Sequence, residues 1–352
     1  MANKSLRYSK MFKPNHLQRG DSIGAVSPSS PMAGLLPHRV EQGVKMLEKL
    51  GFVVKIGEHA LSISQHTAGG PKERADDINS FFRDESIKAI ISFIGGNHSN
   101  QILEHLDFDL IMNNPKIFMG YSDTTVLHFA LHTQSCLVSF YGPSVLTQFA
   151  ENPRILPYTE EYLEKAIMSS KPIGKVNPSM EWTDEILDWF TKKDLERPRR
   201  MKKNVGWQWL RQGRAKGPIF GGCISSMMHL RGTEYWPNFS GNILFWEIPE
   251  SDCNFSKGES PENIDTYLTN LDLSGTFSQI SGMIVGRPFG YTKKETTQLV
   301  QLIKERTKKF DFPILFNVDI GHTDPMITVP LGTEAIVDSY KDLLEFNESG
   351  VR

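Results

Sequence analysis

Cysteine is scarce in this chain of 352 residues: there are three, Cys136, Cys223 and Cys253, widely spaced and odd in number. Such a set fits neither a disulfide framework nor a zinc knuckle, and a reducing, cytoplasmic compartment is the simplest expectation. Long apolar runs are missing too. No stretch approaches the roughly 20 residues needed to span a bilayer, and Met1 to Gly20 is polar and basic, without the apolar segment of a secretory signal. Neither sign of charge dominates. With 39 Lys and Arg against 41 Asp and Glu, the formal net charge of -2 gives no global reason to bind a nucleic acid polymer or a membrane. The dinucleotide fingerprint G-x-G-x-x-G is absent, as are His-Glu-x-x-His and any cysteine pair at ligand spacing. Neither a cofactor nor a metal is therefore expected.

What is present is an ordinary globular composition, 39% hydrophobic and 23% charged, on a chain long enough for two domains. From Asp21 to about Tyr141, strand and helix patterns alternate. Ile23 to Val26, Phe52 to Ile56, Ile87 to Ile94, Ile117 to Met119 and Leu137 to Tyr141 read as strands, and His38 to Leu50, Pro71 to Phe82, Ser99 to Leu106 and a segment from Val126 read as helices. Apolar strands separated by amphipathic helices predict a parallel sheet covered on both faces, with function at the C-terminal strand ends. Three loops fall there: Ser27 to Pro31, Gly95 to Asn97, and Ser122 with Asp123.

A different texture follows, rich in proline, with the tryptophans Trp182, Trp189, Trp207 and Trp209 and a basic run from Lys192 to Lys203. It reads as one helix, Thr159 to Met168, then a connector whose basic run is a solvated face. From Gly217 a second set of elements begins. A helix is predicted from Gly221 to Leu230, strands at Ile243 to Ile248, Met283 to Val285, Pro313 to Val318 and Ala335 to Asp338, and helices at Pro261 to Leu271 and Lys293 to Lys308. The expected organisation is an N-terminal α/β domain over 1–150, a connector over 151–216 and a smaller C-terminal α/β domain over 217–352.

The stretch Ile117-Phe118-Met119-Gly120-Tyr121-Ser122-Asp123-Thr124-Thr125-Val126 runs from strand through a serine into a helix. That is the layout of a nucleophile elbow, which exposes a serine oxygen at the positive end of a helix. Thr124 stands where the elbow pattern G-x-S-x-G has its last glycine; alternatively, Ser122 and Asp123 cap the helix. A serine nucleophile needs a base and the base an orienting acid. Of the histidines, His322 stands out, because it follows the apolar strand ending at Val318 in a loop at a strand's C-terminal end. Glu247, a charge inside an apolar strand, must be paired or functional; Glu250 is its rival. Gly95 and Gly96 could cradle a phosphate or bring backbone N–H groups to a reacting carbonyl.

Taken together, Gly95-Gly96-Asn97, Gly120-Tyr121-Ser122-Asp123-Thr124-Thr125, Phe140-Tyr141-Gly142-Pro143, Gly221-Gly222, Glu247 and Gly321-His322-Thr323-Asp324-Pro325-Met326 resemble the LD-carboxypeptidase family of serine peptidases, most closely its microcin C immunity branch. The resemblance spans about residues 20 to 340. It implies a Ser-Glu-His triad of Ser122, Glu247 and His322, and an oxyanion hole from the N–H groups of Asp123 and one of Gly95 or Gly96. It also implies a flavodoxin-like or class I amidotransferase-like N-terminal domain, a smaller C-terminal α/β domain, a site between them, no cofactor, and homodimers. Two substrate classes follow from it. LD-carboxypeptidases trim terminal D-alanine from murein tetrapeptides, whereas the immunity branch cleaves the amide joining an aminoacyl or peptidyl group to a nucleotide. The tract Glu181 to Trp189 is similar to that branch, in which a tryptophan at the position of Trp189 stacks on adenine; Trp189 and Asn97 are thus the expected substrate contacts. A non-catalytic peptide- or nucleotide-binding module and an esterase-type hydrolase are the alternatives.

Overall fold

The computed structural model describes residues 11–251 and 254–352, so Cys253 lies outside the described residues. The apolar runs of the first part form the strands β1 (Ser22–Val26), β2 (Val53–Ile56), β3 (Ile87–Ser92), β4 (Ile117–Gly120) and β5 (Phe140–Tyr141). These lie parallel in the spatial order β5-β4-β3-β1-β2. Every residue of β4 is buried, which is why Ile117 to Gly120 carries no polar side chain. Helices Pro37–Lys49, Pro71–Arg83 and Thr125–Ser135 connect the strands, as their apolar spacing predicts.

The segment after helix Pro157–Ile167 contributes β6 (Gly174–Val176), β7 (Glu181–Trp182), β8 (Lys202–Lys203) and β9 (Gln208–Arg211). Then follow β10 (Arg214–Cys223), β11 (Ile243–Glu247), the hairpin β12 (Glu250–Ser251) with β13 (Asn254–Gly258), β14 (Gly282–Gly286), β15 (Ile314–Val318), β16 (Val329–Pro330), β17 (Glu334–Asp338) and β18 (Leu343–Phe346). The second sheet has the order β6-β18-β17-β10-β11-β14-β15-β9, with β10, β11, β14 and β15 parallel. Strand β16 returns to the first sheet and pairs antiparallel with β5. The architecture is thus α/β, a mainly parallel sheet followed by a second sheet domain, as expected.

Two local expectations fail. The glycines at 221 and 222 do not open a helix; they end the ten-residue strand β10, and a helix of five residues, Ile224–Met228, follows. Gly217, Pro218, Gly221 and Gly222 obscured it, since these residues usually mark turns. The connector is also more regular than its prolines suggest. It supplies both edge strands of the second sheet, β6 and β9, and edges are where short strands lacking a strong apolar pattern are tolerated.

The helix Thr125–Ser135 is buried along nearly its whole length because the two sheets sandwich it. The Phe129 ring lies 5.0 Å from Phe220 of β10, 5.8 Å from Trp236 and 6.2 Å from Phe239. Among the described residues, no helix is long and apolar enough to cross a membrane. Phe129→Ala should leave a cavity at this junction and lower folding stability by about 3–5 kcal/mol. Urea unfolding measures this, and a loss below about 1 kcal/mol would show that the junction tolerates the void.

Candidate active site

Strand β4 delivers the chain to Tyr121 in an extended conformation, and Ser122 then adopts φ +61°. A left-handed backbone is uncommon for a residue bearing a Cβ and is strained by about 1–3 kcal/mol, so packing must hold it. Here Thr125 Oγ1 donates to the Ser122 carbonyl at 2.6 Å, and the Ser122 N–H donates to Tyr141 Oη at 3.2 Å. The loop after β3 presses on the same turn. A Cβ at Gly95 would come within 2.7 Å of Ser122 Cβ and 2.9 Å of its Oγ, so only glycine lets the backbone approach this closely.

Asp123, fully buried, ties these pieces together: its Oδ2 accepts from the N–H groups of His98 and Ser99, both at 2.9 Å. The His98 N–H also reaches Ser29 Oγ, and the Ser30 N–H donates to the Gly95 carbonyl. The three loops at the C-terminal strand ends therefore meet, with Gly96 and Asn97 in the segment between Gly95 and His98.

Glu247 ends β11 with 0% exposure. A carboxylate can be buried there because donors surround it. Tyr141 Oη donates to Oε1 at 2.5 Å, and His322 supplies Oε2 with its Nδ1 at 2.7 Å and its backbone N–H at 3.3 Å. Gly321, at φ +100°, makes the last contact possible, since a Cβ there would lie 2.4 Å from Oε2. The other imidazole nitrogen, Nε2, is 3.3 Å from Glu250 Oε2. Burial disfavours the imidazolium, but Glu247 and Glu250, with Asp324 beyond them, outweigh it and raise the His322 pKa to about 9. Tyr121 packs edge-on against the His322 ring at 4.9 Å. Burial and the neighbouring Glu247 push the Tyr141 phenol well above its ordinary pKa, so it stays a donor.

Ser122, Glu247 and His322 are thus joined in one chain of hydrogen bonds through Tyr141. The sequence alone assigns that tyrosine no task. Its signal was a hydroxyl at the end of a buried apolar strand, just before Gly142-Pro143. The two candidate acids both touch His322, on opposite nitrogens.

The connector holds the His322 loop from two sides. Asp319, buried, accepts from Arg287 at 2.7 Å, Ser179 Oγ at 2.6 Å and Trp207 Nε1 at 2.9 Å. Asp324 accepts from Arg199 at 2.7 Å and Gln148 at 3.1 Å, while its backbone pairs with Thr183. The basic run is accordingly no free patch: Arg197 forks onto Glu185 at 2.8 Å through both nitrogens, and Lys202 pairs with Asp184. Trp189 is half-buried with the Arg39 guanidinium 4.3 Å from its ring centroid. Arg39 is fixed in turn by Asp194 at 2.8 Å and by the carbonyls of Leu146 and Thr147. Among the described residues, no cluster of three His, Cys, Asp or Glu side chains could hold a metal ion.

Residues 23–142 match the LD-carboxypeptidase N-terminal domain and residues 216–337 the LD-carboxypeptidase C-terminal domain. The chain belongs to the LD-carboxypeptidase family and is a hydrolase of the serine carboxypeptidase type. It is 31% identical to the microcin C7 self-immunity protein MccF of Escherichia coli over 91% of each chain. It is 29% identical to a Bacillus subtilis (strain 168) protein named a probable murein peptide carboxypeptidase, over 94% of this chain and 93% of the other. A solved structure of MccF in complex with aspartyl sulfamoyl adenosine superposes with a TM-score of 0.89 at 29% identity, covering 97% of this chain and 100% of that one.

Tyr141→Phe would leave Glu247 Oε1 and the Ser122 N–H without their shared partner. The expected result is a loss of about 1–3 kcal/mol in folding stability, read from the urea midpoint; an unchanged midpoint would mean that the phenol bears no part of the carboxylate's burial.

Proposed function

We propose that this enzyme is a serine peptidase of the microcin C immunity type, which hydrolyses the amide joining an aminoacyl or peptidyl group to a nucleotide. The observation that carries the reading is the Glu247 carboxylate on His322 Nδ1, linked through Tyr141 to a serine in a strained left-handed turn. In this mechanism Ser122 Oγ attacks the acyl carbonyl and passes its proton to His322 Nε2. Glu247 keeps Nδ1 protonated and balances the imidazolium. The N–H groups of Asp123 and of Gly95 or Gly96 stabilise the oxyanion. His322 then protonates the departing nitrogen, and water, deprotonated by the same histidine, hydrolyses the acyl-Ser122 ester.

The substrate class rests on the likeness to MccF, whose solved complex contains aspartyl sulfamoyl adenosine. Trp189 would take the nucleobase, with Arg39 fixing the indole from behind; such stacking contributes about 1–3 kcal/mol per base. The similarity to the murein peptide carboxypeptidase supports a second reading, removal of D-alanine from murein tetrapeptides. The scarcity of cysteine favours a cytoplasmic setting, and homodimers are proposed on the family resemblance alone.

Ser122→Ala should lower kcat on aspartyl sulfamoyl adenosine by several orders of magnitude, on the order of 10⁴-fold or more. Hydrolysis at the wild-type rate would end the acyl-enzyme mechanism, and a ligand recovered intact from the wild type would favour a binding module. In the same assay a murein tetrapeptide should be the poorer substrate, and Trp189→Ala should narrow the gap. A preference for the tetrapeptide that Trp189→Ala leaves unaltered would support the murein reading instead.

A further inference from the structure

His322 has a carboxylate on each nitrogen, and only one of them is suited to catalysis. Glu247, on Nδ1, is fully buried and held by three donors. Glu250, on Nε2, differs in every respect. Its side chain is 29% exposed, it sits on the short hairpin β12–β13, and among the described residues His322 is the one cation within 4.0 Å of it. With Glu250 in place, Nε2 lies 3.3 Å from a carboxylate oxygen, and the two acids together favour the protonated ring. A general base in that state has no lone pair with which to accept the Ser122 proton. Something must draw Glu250 away before the first chemical step.

The proposed substrate brings what is needed. In an aminoacyl conjugate the carbonyl under attack is bonded to the carbon that bears the α-amino group, so a substrate ammonium arrives beside Nε2 whenever the carbonyl reaches Ser122. We infer that Glu250 is the receptor for the α-ammonium of an aminoacyl substrate, and that it exchanges the His322 imidazolium for this cation as the substrate binds. The inference rests on the aminoacyl-nucleotide reading above. Both states contain two carboxylates and one cation, so the exchange leaves the formal charge of the site unaltered and releases one proton from Nε2 to solvent. The groups facing His322 are Glu247 from β11, Glu250 from β12, Asp324 from its own loop and the Tyr121 ring; of the three acids, Glu250 alone has no second side-chain partner among the described residues. Free aminoacyl substrates thereby release the base readily, whereas peptidyl and other N-acylated ones displace Glu250 without that cation and react more slowly.

The test compares aspartyl sulfamoyl adenosine with its N-acetyl derivative on the wild type, Glu250→Gln and Glu250→Asp. The wild type should prefer the free amine by roughly tenfold or more in kcat/KM. Glu250→Gln should bring the two substrates within about twofold, mainly by raising KM for the free amine, and should move the acid limb of the kcat/KM profile to lower pH. Glu250→Asp, which keeps the charge, should restore part of the preference. A Glu250→Gln enzyme that keeps the wild-type preference, or that loses both substrates equally with its pH profile unmoved, overturns the role of Glu250 and leaves the peptidase reading standing. A wild type inert towards both conjugates overturns the nucleotide reading, and this inference with it.

Discussion

The ion pair between Glu247 and His322 is the constraint around which the site is built. Taking a carboxylate and an imidazolium out of water carries a desolvation penalty of several kcal/mol per ion, offset only where geometry and further hydrogen bonds are good. Each neighbouring feature serves that condition. Tyr141 closes one carboxylate oxygen, Gly321 lets the other approach backbone and ring together, and β11 ends at the point where the carboxylate is required. Removing one partner of such a pair typically costs about 3–5 kcal/mol, so the residues that position the chemistry also hold the second sheet to the Ser122 turn.

The connector shares in this. The loop bearing His322, the proposed base, draws much of its support from residues 179–207, alongside Arg287 and Gln148. Ser179 and Trp207 hold Asp319; Thr183 and Arg199 hold Asp324; His322 lies between. The same segment carries Trp189, braced on Arg39 of the helix Pro37–Lys49. The proposed base and the proposed nucleobase platform are thus both supported by the one connector.

Much of the fold was legible in the sequence, because its strands are buried on both faces and their apolar runs are unbroken, as in Ile117 to Gly120 and Ile243 to Trp246. The loops at 27, 95 and 122 were legible for the same reason, since strand ends in a parallel sheet have a known polarity. What escaped notice depends on partners distant in sequence. Strand β10 hides behind glycines and a proline whose purpose is close packing, and Tyr141 acts only when Glu247, a hundred and more residues away, is brought to it. Glu250 read as a competitor for a role in orienting the imidazole, because sequence spacing cannot tell which nitrogen a carboxylate will face. The basic run reads as a solvated face for a related reason: its counter-charges, the neighbouring Asp184 and Glu185 and the distant Asp324, all lie outside the run.

The central claim is that one histidine, buried between two carboxylates, is the base. Titrating His322 by NMR in histidine-labelled protein, assigned through the loss of its signal in His322→Gln, tests that claim directly. With both carboxylates charged, the imidazole should hold its proton up to a pKa of about 9. A midpoint at or below the ordinary histidine value of about 6.5 would contradict the ion pair, and the account of the site built upon it.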